Sequence, residues 1–421
     1  MRHSSTSVLG SSLVAAAFVL TACTGGGGNG NGGDGAAEAE GPQTLTVWHY
    51  FAEDAQVELM EAYKDKFESA NDGVTVDNVY IPYDQMNSRL VNAAGAGEGP
   101  DIAVFNGAET SVLALGGALA PLDDYWSGFA DADLVQDSVL HSMDDELYAV
   151  QGYVNLLGLW YNAEILQELG LEAPTTMDEL EDAMAEAEDA GYRGITVSGL
   201  PNSQGEWQAY PVLSDAGFNY ENLDEAALTS ALTRVATWVD EGWLSQEAVT
   251  WDQTVPFQEF SAGETAFAIN GNWQRGNAAA DADFEYGVVA LPLSDTGGVY
   301  LGGEGQGIGI NSANPDLAWQ YLEQTYLDSE GQLMALETVG SLPSREDAAE
   351  NELVTEDEIL APFSETVARF GANYPDPVVP PEAVGDLQVG MGQAWSAVIG
   401  KQKSPEDAAA DIIATLEGLL D

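Results

Sequence analysis

The 421-residue chain has a single cysteine, Cys23, so no disulfide can staple it internally and no thiolate cluster can hold zinc. Cations are also scarce: 11 Lys and Arg stand against 70 Asp and Glu, a formal charge of −59. That balance cannot build the basic face that nucleic-acid phosphates require. Histidine occurs three times, with no H-E-x-x-H pair and no Cys/His set at zinc spacing. No G-x-S-x-G nucleophile elbow appears beyond Cys23. No apolar run reaches the roughly 20 residues of a membrane-spanning helix. Hydrophobic residues nevertheless make up 45% and aromatics 9%, which excludes a disordered acidic tail. A chain this long divides into two or more domains of roughly 100–200 residues, each with its own core.

The first forty residues explain the cysteine. Met1-Arg2-His3 is a short positive start, residues 8–20 are small or apolar, and Leu20-Thr21-Ala22-Cys23 resembles the lipobox of bacterial lipoproteins. The resemblance implies cleavage before Cys23 and acylation of that residue, which holds the chain on the outer face of the cell membrane. An ordinary secretory signal followed by a chance cysteine is the alternative. Residues 24–42 contain nine glycines and read as a flexible tether.

Acidic residues are scattered along helix-like segments, as in Glu179-Leu180-Glu181-Asp182, rather than gathered in one block. Such carboxylates form a solvated surface whose self-repulsion is tolerable where salt screens it. The expectation is a salt-adapted exported protein, and the same field disfavours an anionic ligand.

From residue 44 onward, short β-rich runs alternate with amphipathic helices. Strands are expected at 44–48, 74–81, 100–105, 156–161, 194–197 and 266–270. Leu59, Met60, Tyr63 and Phe67 fall on one helical stripe, and Thr176-Met177-Asp178-Glu179 matches a capping box. Asn314-Pro315 opens another helix, and the last begins at Ser404-Pro405 with Ala409, Ile412, Ile413, Leu416 and Leu420 on one face. The pattern predicts βαβ units around largely parallel sheets. Gly302-Gly303-Glu304-Gly305-Gln306-Gly307-Ile308-Gly309 lacks the spacing and the following helix of a phosphate loop; it reads as backbone closely approached by a ligand or another segment. With 70 acids, a glycosidase carboxylate pair is available by chance and carries no information.

Several short pieces, in order, resemble the family 1 extracellular solute-binding proteins, the sugar-binding components of ABC importers. They are Leu45-Thr46-Val47-Trp48, Gly99-Pro100-Asp101-Ile102, Leu147-Tyr148-Ala149-Val150, Leu159-Trp160-Tyr161-Asn162 and Ala173-Pro174-Thr175-Thr176. The most specific is Ala262-Gly263-Glu264-Thr265-Ala266-Phe267-Ala268-Ile269-Asn270-Gly271-Asn272-Trp273, followed by Leu301-Gly302-Gly303, Leu342-Pro343-Ser344-Arg345 and Ser404-Pro405-Glu406-Asp407. The resemblance implies an α/β, two-lobed periplasmic-binding-protein-like fold with discontinuous lobes, a hinge and a ligand cleft. By analogy the lobes are 43–153 plus 298–343 and 154–297 plus 344–421, behind a 1–22 signal peptide and a 23–42 lipidated tether. It also implies a monomeric, non-enzymatic binder of a di- or oligosaccharide, with no cofactor, no metal and an ABC permease as partner.

Sugars present apolar C–H faces edged with hydroxyls, so their sites combine flat aromatic rings with planar polar groups. Ten tryptophans and sixteen tyrosines supply the rings. The family motif marks Trp273 for stacking, and a looser match marks Trp207; core packing is the alternative for each. Tyr153 and Asn155 match a lobe-crossing pair where the family presents a Tyr and a carboxylate or amide; Asn155 rather than an acid is a departure that weakens hydroxyl recognition per bond. Gly303 and Glu304 follow the Gly-Gly motif, Glu304 where relatives often place an aromatic. Asn106 and Glu109 match a first-lobe segment carrying an acidic ligand residue, although Glu109 is equally explained as a surface carboxylate. Tyr50 and Phe51 follow the first strand at its carboxyl end, where open α/β sheets bind ligands. Arg345 either reaches sugar hydroxyls or forms a structural ion pair.

Two other readings keep weight. Aromatic cages in a negative field suit a cationic metabolite such as a polyamine or a betaine-like osmolyte. A secreted glycoside hydrolase would need one desolvated, protonated carboxylate beside an ionised one, and no pair stands out. The charge itself yields a prediction: the melting temperature should climb as salt is raised above about 0.15 M. A flat or falling curve would contradict salt adaptation.

Overall fold

A computed structural model describes residues 43–376 and 378–420. The expected signal peptide, Cys23 and the expected tether lie outside the described residues. The strands, in chain order, are β1 (Gln43–His49), β2 (Val74–Tyr80), β3 (Ile102–Asn106), β4 (Leu140–Met143), β5 (Glu146–Val150), β6 (Tyr153–Val154) and β7 (Leu157–Asn162). They continue with β8 (Arg193–Thr196), β9 (Thr265–Gly271), β10 (Tyr286–Val289), β11 (Val299–Leu301), β12 (Glu304–Ile308), β13 (Leu342–Pro343) and β14 (Gly371–Asn373).

The first sheet has the order β2-β1-β3-β12-β5-β4. β1 buries Leu45, Val47 and His49 in alternation, while β3 is buried on both faces until Asn106, as a central strand requires. The helix Asp54–Ala70 covers this sheet with Leu59, Met60, Tyr63 and Phe67. Its start is fixed by a reciprocal bond pair between Glu53 and Gln56.

The second sheet has the order β10-β7-β9-β8. β9 is buried along its whole length, and Trp160 of β7 is fully enclosed with its indole N–H on the Asn270 carbonyl at 3.2 Å. Helices Ser203–Asp215, Glu225–Asp240, Val384–Ile399 and Pro405–Leu420 pack as one layer around Trp238 and Trp395.

The chain passes between the sheets near two short ladders. β6 pairs antiparallel with β13, Asn155 bridges to Gly302, and β11 pairs parallel with β14. The first sheet therefore collects residues from 43–150 and again from 304–308, with the second sheet inserted between.

The expectation of largely parallel sheets needs correction. β1 runs parallel to β2 and β3, but β12 runs antiparallel to both β3 and β5, and β4 antiparallel to β5. β12 returns from the second sheet and enters from the opposite end. β4 and β5 form a hairpin whose two turn residues, Asp144 and Asp145, have φ of 53° and 65°, the left-handed geometry such tight turns demand. The helix Pro315–Gln324 starts where expected, but the Asn314 side chain does not cap it; Pro315 at the first turn supplies the preset backbone. Thr176 does cap the Glu179 N–H, while the Glu179 carboxylate reaches back to Thr175 rather than to Thr176.

Candidate functional site

A cleft of about 310 Å³ lies where the carboxyl ends of β1 and β3 face the carboxyl end of β9 and the start of the helix Ser203–Asp215. Its lining includes Trp273, Trp207, Tyr153, Asn155, Gly303, Glu304, Asn106, Tyr50 and Phe51. Because β12 is antiparallel to β3, its first residue, Glu304, sits opposite Asn106 and so at the same sheet edge.

Glu304 forms the polar floor. Only 8% of it is exposed, yet among the described residues no Lys, Arg or His lines the cleft. Its Oε1 accepts from the Tyr50 hydroxyl at 2.9 Å, and its Oε2 accepts from Asn155 Nδ2 at 3.4 Å. The Tyr153 hydroxyl stands beside the same carboxylate without a well-directed bond. Burial pushes the Glu304 carboxyl above its usual range, and the neighbouring donors only partly offset this. The Asn155 amide is oriented by its carbonyl oxygen, which accepts from Ser341 Oγ at 2.8 Å and Asn272 Nδ2 at 3.1 Å. Tyr50 is wedged edge-on against Phe51 and Tyr83, at 5.5 and 5.0 Å between ring centres.

The two tryptophans are set by glycines. Trp273 occupies a single turn of 3₁₀ helix after β9, half-buried, with its indole against Gly271. A Cβ added at Gly271 would stand 1.9 Å from Trp273 Cζ3, so only glycine leaves room for the ring. Likewise a Cβ on Gly302 would stand 2.2 Å from Trp207 Cη2. Trp207 is 7% exposed, and its indole N–H has no partner among the described residues. At the rim, Glu53 accepts from Asn277 at 3.1 Å; burial chiefly, with the nearby Asp252 charge, raises its pKa.

Several lining residues escaped the sequence reading: Tyr83, Glu53, Ser341, Asp252 and Tyr374. Tyr83 obeys the same carboxyl-end rule as Tyr50, since it follows β2, and could have been found that way. Tyr374 follows a three-residue strand with no periodic signal.

Two expected residues stand elsewhere. Glu109 lies in the turn after β3, outside the cleft lining, with burial raising its pKa and Asn87 as its partner. Arg345 is 4% exposed and wholly committed to structure. It donates to Asp131 Oδ2 at 3.1 Å, to the Leu327 carbonyl at 2.8 Å, and to both Asp347 oxygens at 2.9 Å. With these donors engaged it does not reach the cleft, and the ion-pair alternative describes it. His49 is buried, and desolvation lowers its pKa to about 4. Trp251 and Trp395 pack into the core. Among the described residues, no group of three or more His, Cys, Asp or Glu side chains could hold a metal, and no helix is long and apolar enough to cross a membrane.

The family model for bacterial extracellular solute-binding proteins matches residues 62–362. A putative binding protein of Brucella abortus is 23% identical over 397 residues, covering 90% of this chain and 93% of that one. The xylose/arabinose-binding protein XacG of Haloferax volcanii is 28% identical over 262 residues, 56% of this chain and 55% of its own. Among solved structures, the GacH receptor of Streptomyces glaucescens, determined unliganded and with acarbose, superposes with a TM-score of 0.81 at 25% identity, covering 90% of this chain and 99% of that one. A solute-binding protein of Thermotoga lettingae bound to α-D-tagatose gives a TM-score of 0.79 at 21% identity over 90% of this chain and 100% of that one. These folds are two-lobed, and their owners are binding proteins rather than enzymes.

The Arg345 geometry predicts a clean separation of stability from binding. Arg345→Ala should cost about 2–3 kcal/mol of folding stability, less than a fully enclosed pair because Asp131 and Asp347 both reach water. Ligand affinity measured by calorimetry below the lowered melting point should stay unchanged; a selective loss of affinity would place Arg345 at the ligand after all.

Proposed function

The chain belongs to the bacterial extracellular solute-binding proteins, and from that premise we propose that it captures an uncharged di- or oligosaccharide in the cleft and delivers it to an ABC permease. The observation that carries this reading is Glu304: a buried carboxylate with no cation beside it, ringed by Tyr50, Tyr153 and Asn155 under aromatic walls. An ionised carboxylate accepts paired hydroxyl donors more strongly than a neutral amide does. Trp273 and Trp207 offer flat faces for the C–H side of a sugar ring. The lack of any basic lining residue among the described residues argues against uronates, sulfated sugars and other anions. XacG is a xylose/arabinose-binding protein and GacH was determined in complex with acarbose, ligands rich in hydroxyls.

In this reading the lobes are 43–153 plus 298–343 and 154–297 plus 344–421, and ligand contact with both biases the hinge toward closure. Cys23 carries the lipid that keeps the protein on the outer face of the cell membrane, and the monomer meets its permease there. The three cleft carboxylates, Glu53, Asp252 and Glu304, keep a cationic metabolite as the second reading.

A thermal-shift panel of mono-, di- and oligosaccharides, polyamines and betaines decides between them. A saccharide at a hundred times its Kd should add about 2.7 kcal/mol to stability. Response to polyamines or betaines alone would overturn the sugar reading. Trp273→Ala should weaken the winning saccharide by about 1 kcal/mol or more, fivefold or greater in Kd. Unchanged affinity would remove Trp273 from the site.

A further inference from the structure

We infer that Glu206 is a positioning residue for the cleft, holding three tyrosines that fix where Trp207 and Tyr374 stand. Glu206 is fully buried in the first turn of the helix Ser203–Asp215, one residue before Trp207. Its Oε1 accepts from the hydroxyls of Tyr220 and Tyr300, each at 3.0 Å, and its Oε2 from that of Tyr374 at 3.3 Å. No Lys or Arg among the described residues pairs with it.

The three phenols come from separate stretches of chain. Tyr300 lies in β11 and Tyr374 just after β14, two strands that pair in parallel, while Tyr220 follows the helix that bears Glu206. Tyr374 and Trp207 both line the cleft and meet edge to face at 4.8 Å. Tyr300 stacks on Tyr210 at 3.6 Å and lies 4.5 Å from Tyr374. An apolar side chain would fill this space more cheaply than an uncompensated carboxylate. What the carboxylate adds is direction: two oxygens that accept three O–H groups and so orient three rings.

The charge state matters to that geometry. Burial raises the Glu206 carboxyl from its ordinary value near 4.5 to about 7, with the three phenols lowering it and Asp376 raising it. The groups facing it are Tyr220, Tyr300, Tyr374 and, through space, Asp376 and Tyr210; the Gln388 amide donates to the Tyr374 hydroxyl from the opposite side at 2.8 Å. The native state thus binds this proton more tightly than the unfolded chain does. Stability from this group falls as pH rises from about 4.5 through about 7. Protonation would occupy the oxygen with the longer, single bond, Oε2, and leave the Tyr374 hydroxyl without its acceptor.

The test needs no ligand. Near-ultraviolet circular dichroism of the full chain is followed from about pH 5.5 to about pH 8.5 for wild type, E206Q and Y374F. Gln keeps the Oε1 acceptor but offers N–H₂ where Oε2 stood, imitating the protonated acid. Wild type should show an aromatic transition near neutrality, absent after Tyr374→Phe, and E206Q should give the low-pH spectrum at every pH. An E206Q curve matching wild type, or a wild-type spectrum flat across the range, would overturn the inference. A second arm rests on the sugar reading and uses maltotriose as probe: at about pH 8, E206Q should bind roughly tenfold more weakly with unchanged far-ultraviolet spectrum. Equal affinity of E206Q and wild type counts against Glu206, whereas no binding by wild type counts against the reading of maltotriose as a ligand and leaves the spectral result standing.

Discussion

The interior of this protein holds carboxylates that phenols, not cations, must stabilise. Of the ten Lys and Arg side chains between residues 43 and 420, nine are paired with carboxylates outside the cleft, and Arg89 donates to Gln85. None is left for Glu304 or Glu206. Each is instead served by hydroxyl and amide donors: Tyr50 and Asn155 for the first, Tyr220, Tyr300 and Tyr374 for the second. Such donors stabilise the ionised form without cancelling its charge, so both groups sit above the ordinary carboxylate range. Glu304 is therefore a strong acceptor facing the cleft, and Glu206 a hub behind its wall.

The rest of the architecture arranges surfaces around these groups. Sheet edges bring Tyr50, Asn106 and Glu304 together from distant parts of the chain, and the crossing segments at 153–155, 302–304 and 341–343 set Asn155 and Ser341 beneath them. Gly271 and Gly302 let the two indoles lie against backbone, which fixes their planes without adding contacts from side chains that compete for the ligand. Side chains held in place by such contacts avoid part of the ordering cost of association.

Much of this was legible because it is local. Strand positions follow from β-branched and apolar runs, and the resemblance of the Asn270-Gly271-Asn272-Trp273 piece to a family motif marks a ring at the end of a strand. Tyr50 and Phe51 follow from the carboxyl-end rule for open α/β sheets. What was illegible depends on long-range pairing. The direction of β12 depends on how the chain re-enters the first sheet, which no periodicity records. The Glu206 cluster joins residues 206, 220, 300 and 374, three of them with no motif of their own. Arg345 carried two readings in the sequence, and only long-range contacts decide between them: its partners Asp131 and Leu327 lie far away in the chain, and it forms the structural ion pair.

The most direct measurement is a crystal structure of the chain with its tightest-binding saccharide. Electron density should show a sugar ring lying flat on Trp273, with hydroxyls on the Glu304 carboxylate and both sheets in contact with the same molecule. Density for the ligand elsewhere, or a cationic molecule seated against Glu304 in its place, would contradict the assignment.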